Sequence, residues 1–161
     1  MGTILEDIPV HQLLEESLAI KSLLAERFGI TLETHMNDPG VSLRGDRGLL
    51  RVALSNLIDD AIKKNSGKRV LISQRTDGDA VIISVSKPRG GAHKRITAGV
   101  GRVLVDAPRD GGNSPKCLHP GMSLAIHIAD LHGGVIDIGP DDGNACDSSI
   151  YLPLSCQFTS I

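Results

Sequence analysis

The tightest constraint in this sequence is a run of apolar residues at helical spacing with polar groups along one side. Leu50, Ala53, Leu54, Leu57, Ile58, Ala61 and Ile62 form a wide stripe over 47–65. Asp46 stands where an N-cap belongs, and Ser66-Gly67 ends the run. So broad a stripe has to be buried against other elements, which points to a layered fold. Asn56, Asp60 and Lys63 fall at i, i+4 and i+7, on one face of the same helix. Such groups either line a pocket or form the solvated edge of the helix.

The flanking segments supply the other layer. A first helix is expected over 9–28, with Val10, Leu14, Leu18, Ala25 and Phe28 on one face and Gly29 as its stop. Residues 30–34 alternate like a strand, Asn37-Asp38-Pro39-Gly40 is a turn, and 41–43 suits a short return strand. Strands over 68–75 and 79–86 are joined at Asp77-Gly78, a hairpin signal. Val81-Ile82-Ile83-Ser84-Val85 has the β-branched content of a sheet centre. A third helix over 122–131 closes at His132-Gly133-Gly134, and strands over 135–138 and 149–154 follow.

Residues 87–120 are rich in glycine and proline and read as a long lid-like loop, with a short helix near 103–107. The order implies an α/β two-layer sandwich: one mixed sheet covered on one face by three helices. At 161 residues the expectation is a single domain over 1–161, with its core at about 7–155.

Composition narrows the function. Only Phe28, Tyr151 and Phe158 are aromatic, so the core is aliphatic and base stacking has no platform. A net charge of −2 offers no basic field for nucleic acid or an anionic membrane. Cys117, Cys146 and Cys156 form no CxxC and read as free thiols. No apolar run reaches the length of a membrane span and no signal-peptide core is evident. A cytoplasmic protein without direct membrane contact is expected.

Five segments in order carry a resemblance. They are Gly45-Asp46-Arg47-Gly48-Leu49-Leu50-Arg51-Val52, Asn56-Leu57-Ile58-Asp59-Asp60-Ala61-Ile62-Lys63, Gly121-Met122-Ser123-Leu124-Ala125-Ile126, His132-Gly133-Gly134-Val135-Ile136 and Tyr151-Leu152-Pro153. The series resembles the catalytic, ATP-binding domain of bacterial sensor histidine kinases. That group lies in the superfamily of gyrase-type and chaperone-type ATPases. The resemblance covers about 7–155 and implies that superfamily's sandwich fold.

It also assigns candidate roles. In the family's first box, Asn-Leu-x-x-Asn-Ala-x-Lys, Asn56, Leu57, Ala61 and Lys63 match, and Asp60 replaces the second Asn. The resemblance makes Asn56 and Asp60 the Mg²⁺ positions and sets Lys63 toward phosphate oxygens. The adenine box, Asp-x-Gly-x-Gly, becomes Lys87-Pro88-Arg89-Gly90-Gly91. Gly90 and Gly91 keep nucleotide-site positions. Lys87 has donors and no acceptor for the adenine amino group, and Arg89 adds bulk.

The family's lid aromatics are missing at Leu104 and Ala107. The last phosphate box keeps Gly121, with Ser123 and Leu124 at site positions and Leu124, Ala125 and Ile126 matching as scaffold. His119 replaces a glycine there, and Pro120 removes a backbone donor.

Scaffold residues match while nucleotide contacts mostly do not; a drifting copy would lose both. The resemblance therefore implies a degenerate catalytic-type domain of a two-component kinase, with weak or no ATP binding, that acts by docking in a phosphorelay. Its partners would be a dimerisation and phosphoacceptor domain, or the receiver domain of a response regulator. The alternative is an active kinase domain that uses ATP and Mg²⁺ to phosphorylate a histidine on a separate dimerisation domain.

The phosphoacceptor helices are expected to be absent, and the chain to be part of a longer sensor. His11 lacks the acidic neighbour and later proline of a phosphoacceptor, so an ordinary surface residue is expected. His132 is expected to cap a helix C-terminus, where positive charge is favourable.

Overall fold

The computed structural model describes residues 3–64, 69–86, 120–138 and 148–155. In chain order these form β1 (Glu6–Pro9), α1 (Val10–Arg27), β2 (Thr31–Met36), β3 (Ser42–Gly45), α2 (Arg47–Lys64), β4 (Arg69–Asp77), β5 (Ala80–Ser86), α3 (Pro120–Leu131), β6 (Val135–Ile138) and β7 (Ser148–Pro153). A five-stranded mixed sheet runs β2-β4-β5-β7-β6, parallel only between β2 and β4. The expected α/β sandwich with three helices is observed.

Strand alternation divides the sheet into two faces. Val70 and Ile72 of β4, Val81, Ile83 and Val85 of β5, Ile136 of β6, and Ile150 and Leu152 of β7 share one face and join the core. The helices pack on that face with Leu13 and Leu14 of α1, Leu50, Leu54, Leu57, Ile58 and Ile62 of α2, and Met122, Ala125 and Ile128 of α3. The opposite face carries Arg75, Ser84, Ser149, Tyr151 and Asp137, with Ser84 Oγ and Ser149 Oγ 2.8 Å apart.

The helix ends follow from their glycines. At the end of α1, Gly29 N–H donates to Glu26 O and Ile30 N–H to Ala25 O, with Gly29 at φ +69°. This is the Schellman arrangement, and buried Ile30 and Ala25 supply its apolar contact. The same pattern closes α3: Gly133 N–H donates to Asp130 O, Gly134 N–H to Ala129 O, and Gly133 lies at φ +76°.

Two expectations need correction. The short strand after the Asn37–Gly40 turn does not return along β2: β3 pairs antiparallel with β1 in a separate two-stranded sheet. The turn instead ties to β4. Asn37 N–H donates to Gln74 O, Asp38 N–H to Gln74 Oε1, and Asp38 Oδ2 accepts from Thr76 N–H at 2.9 Å. Those bonds hold the turn on the sheet and send the chain away from β2. The strand β1 itself was not expected. The lid-like loop and the helix near 103–107 lie outside the described residues.

Candidate functional site

The site is positioned by a junction between segments 86 residues apart. Asp46 is the N-cap of α2, as its sequence position suggested: Oδ1 accepts from Leu49 N–H at 2.9 Å. His132, just past α3, accepts the Asp46 N–H on Nε2 at 3.0 Å and donates from Nδ1 to Ile128 O at 2.8 Å. Both bonds require the neutral ring protonated on Nδ1. Burial drives the His132 pKa below its ordinary value; the Ile128 carbonyl and the Asp46 carboxylate oppose that shift without overcoming it. His132 does cap the helix, but as a neutral bridge, which corrects the expected positive charge.

Glycines clear the space around this junction. A Cβ on Gly45 would lie 2.9 Å from the His132 ring and 2.9 Å from Leu50. A Cβ on Gly134 would lie 2.0 Å from the Tyr151 carbonyl oxygen. The Gly45-Asp46 and His132-Gly133-Gly134 motifs are thus two halves of one joint. From this joint α2 departs and α3 arrives, so the packed pair runs antiparallel. The 12 residues of α3 reach back about 18 Å, which sets its first turn level with Asn56–Asp60.

The polar face of α2 lies at that level, and its charged groups are paired. Asn56 is half-buried. The Asp60 side chain is only 3% exposed, with the Lys64 ammonium 3.3 Å from Oδ1. Lys63 is 55% exposed and turns its ammonium to Asp59, 3.2 Å from Oδ2. Lys21 of α1 meets the other Asp59 oxygen at 3.3 Å. Asp59 and Lys64 were not singled out in the sequence, although Asp-Asp followed four residues later by Lys-Lys is itself a pairing signal.

At the start of α3, Pro120 is the first helical residue, a position that tolerates its missing N–H. Gly121 is half-buried, Met122 is buried in the core, and Ser123 is exposed. Leu124 is 45% exposed, so it is not the scaffold residue expected; Ala125 and Ile126 do pack inward. Lys87, Arg89, Gly90, Gly91, Leu104, Ala107 and His119 lie outside the described residues. His11 is half-buried rather than on the surface, and its Nδ1 has no hydrogen-bond partner among the described residues.

The donor set fits Mg²⁺ poorly. A carboxylate oxygen suits that ion, but the Asp60 charge is already met by a cation tethered one turn away. Among the described residues no group of three or more His, Cys, Asp or Glu is placed to hold a metal.

Known proteins agree with this architecture. No family model matches the chain. It is 28% identical to the sensor protein DivL of Caulobacter vibrioides over 98% of its own length and 20% of DivL. It is also 28% identical to the sensor-like histidine kinase SenX3 of Mycolicibacterium smegmatis, over 92% of this chain and 39% of SenX3. The chain therefore spans less than half the length of either relative. Among solved structures, the catalytic domain of histidine kinase ThkA superposes with a TM-score of 0.71 at 17% identity, covering 95% of this chain and 97% of that domain. The fold is that of a histidine-kinase catalytic domain.

Proposed function

We propose that the chain is a catalytic-type domain of a two-component sensor kinase that binds ATP weakly or not at all and acts by docking. Its partners are a dimerisation and phosphoacceptor domain, or the receiver domain of a response regulator, in the cytoplasm. One observation carries the reading: both lysines at the C-terminal end of the α2 polar face are spent on the carboxylates one turn before them. A triphosphate needs a surplus of positive charge or a metal. Here Asp59 and Asp60 pair with Lys63 and Lys64, and with Lys21 included the cluster keeps a net of only +1. The sequence supports the reading with Lys87 and Arg89 at the adenine box.

The active reading draws on the half-buried Asn56 and the exposed Lys63, whose ammonium needs only to leave Asp59 to meet a phosphate. Titration calorimetry with Mg-ATP separates the two. Weak or undetectable binding at physiological nucleotide concentration is expected, and saturable micromolar binding refutes the degenerate reading. In the same assay Lys87→Asp with Arg89→Gly is expected to restore some affinity.

A further inference from the structure

We propose that Lys64 is a built-in substitute for a divalent cation. Its ammonium neutralises the buried Asp60 carboxylate, so this part of the fold takes up no Mg²⁺. The positive charge beside Asp60 is then a tethered ammonium and not an exchangeable metal. The inference rests on reading this face as a nucleotide edge, as proposed above, and concerns what supplies its positive charge.

The argument starts from burial. A carboxylate with 3% of its side chain exposed must be compensated by a cation or by strong hydrogen bonds. Lys64 lies one helical turn beyond Asp60, the spacing at which an acid and a following base meet. Its ammonium is 3.3 Å from Oδ1, while its own side chain is 27% exposed. The stem thus follows the helix and carries the charge inward from the solvent edge.

The tether holds the ammonium at a high local concentration that a free ion must overcome. A divalent ion on the same carboxylate would also sit beside that ammonium and be repelled by it. Lys63 is engaged elsewhere, on Asp59, which it shares with Lys21.

The test uses the full chain and metal alone, without nucleotide. Thermal unfolding is followed in MgCl2 against a monovalent salt of equal ionic strength, and Mn²⁺ broadening of amide signals around Asp60 is followed by NMR. Wild type is expected to show neither response. Lys64→Met leaves Asp60 without this cation, and both responses should then appear. At Mg²⁺ ten times its dissociation constant the folded population gains about 11-fold, a rise of roughly 3–6 °C in midpoint. Lys64→Met with Asp60→Asn buries no charge and should lose both responses.

If Lys64→Met alone is unfolded, the readout becomes refolding by Mg²⁺, again absent in the double variant. Wild type responding as strongly as Lys64→Met overturns the proposal, and so does a Lys64→Met chain that neither responds to nor refolds with metal. Because no nucleotide is present, this result and the ATP titration can fail separately.

Discussion

Replacing His132 perturbs the joint that sets α2 against α3. In His132→Ala the Asp46 N–H loses its acceptor at 3.0 Å. The Ile128 carbonyl keeps the His132 backbone N–H at 3.2 Å and is not orphaned. Asp46 is half-buried, so its unsatisfied donor costs about 1–3 kcal/mol, the upper figure only where water stays excluded, and the void left by a ring 1% exposed adds about 2 kcal/mol, at the low end for large-to-small core changes. A total near 3–5 kcal/mol is a large part of the 5–15 kcal/mol typical of a domain. His132→Gln keeps an acceptor of similar reach and should cost about 1–2 kcal/mol.

The pH dependence tests the mechanism and not only the size. The ring is neutral when folded because burial lowers its pKa. Below the unfolded value of about 6.5 the unfolded chain takes up a proton that the native chain refuses. Stability is therefore full above that pH. It falls on acidification until the folded pKa is reached, by at most about 1.4 kcal/mol per pH unit. Urea unfolding of wild type and His132→Gln between pH 5 and 8 reads this directly, with a smaller slope in the variant. Equal slopes in the two proteins, or a wild type that gains stability as pH falls toward 5.5, refute the neutral-bridge assignment.

Two further outcomes follow from geometry. Gly134→Ala puts a Cβ 2.0 Å from the Tyr151 carbonyl and should cost more than about 3 kcal/mol by denaturant unfolding, while Gly40→Ala, with no atom within 4 Å, should be near neutral. Tyr151 is the sole tyrosine and there is no tryptophan, so absorbance at alkaline pH reports it alone. Burial and then Asp137 raise its pKa, so Asp137→Asn should lower the midpoint while leaving it above the ordinary value.

What the sequence revealed depended on how local each cause is. α2 was expected over 47–65 and spans Arg47–Lys64, and the Asp46 cap was right, because stripe and cap lie within one segment. β6 matched because its glycine closure is adjacent. β1 is not legible in the sequence because four residues with only Ile8 buried and a terminal proline carry no period; its partner lies beyond α1 and β2. The role of His132 was legible only in part. Its place after a helix is local, whereas its neutrality depends on Asp46, which no periodicity links to it. Leu124 matched a motif, yet helix phase turned it outward while Ala125 turned inward. A motif match gives the position of a residue and not the direction of its side chain.

The α2 helix separates two demands that a nucleotide-binding domain has to meet together. Its apolar side must hold the sheet and α3, and here Leu50, Leu54, Leu57, Ile58 and Ile62 do so with no exposed surface. Its polar side must offer charge to a ligand. Lys21, Lys63 and Lys64 against Asp59 and Asp60 leave a net of +1, with contacts of 3.2–3.3 Å already made. A triphosphate would have to break those pairs and then bring its own negative charge to the freed carboxylates. Breaking the pair on a buried acid costs several kcal/mol, about 3–5 in measured cases, before any contact to the ligand is counted. Docking to a protein makes no such demand, because it needs the shape of the fold and leaves the Asp60–Lys64 pair in place. The charge pattern of α2 thus supports the proposed docking over phosphate binding.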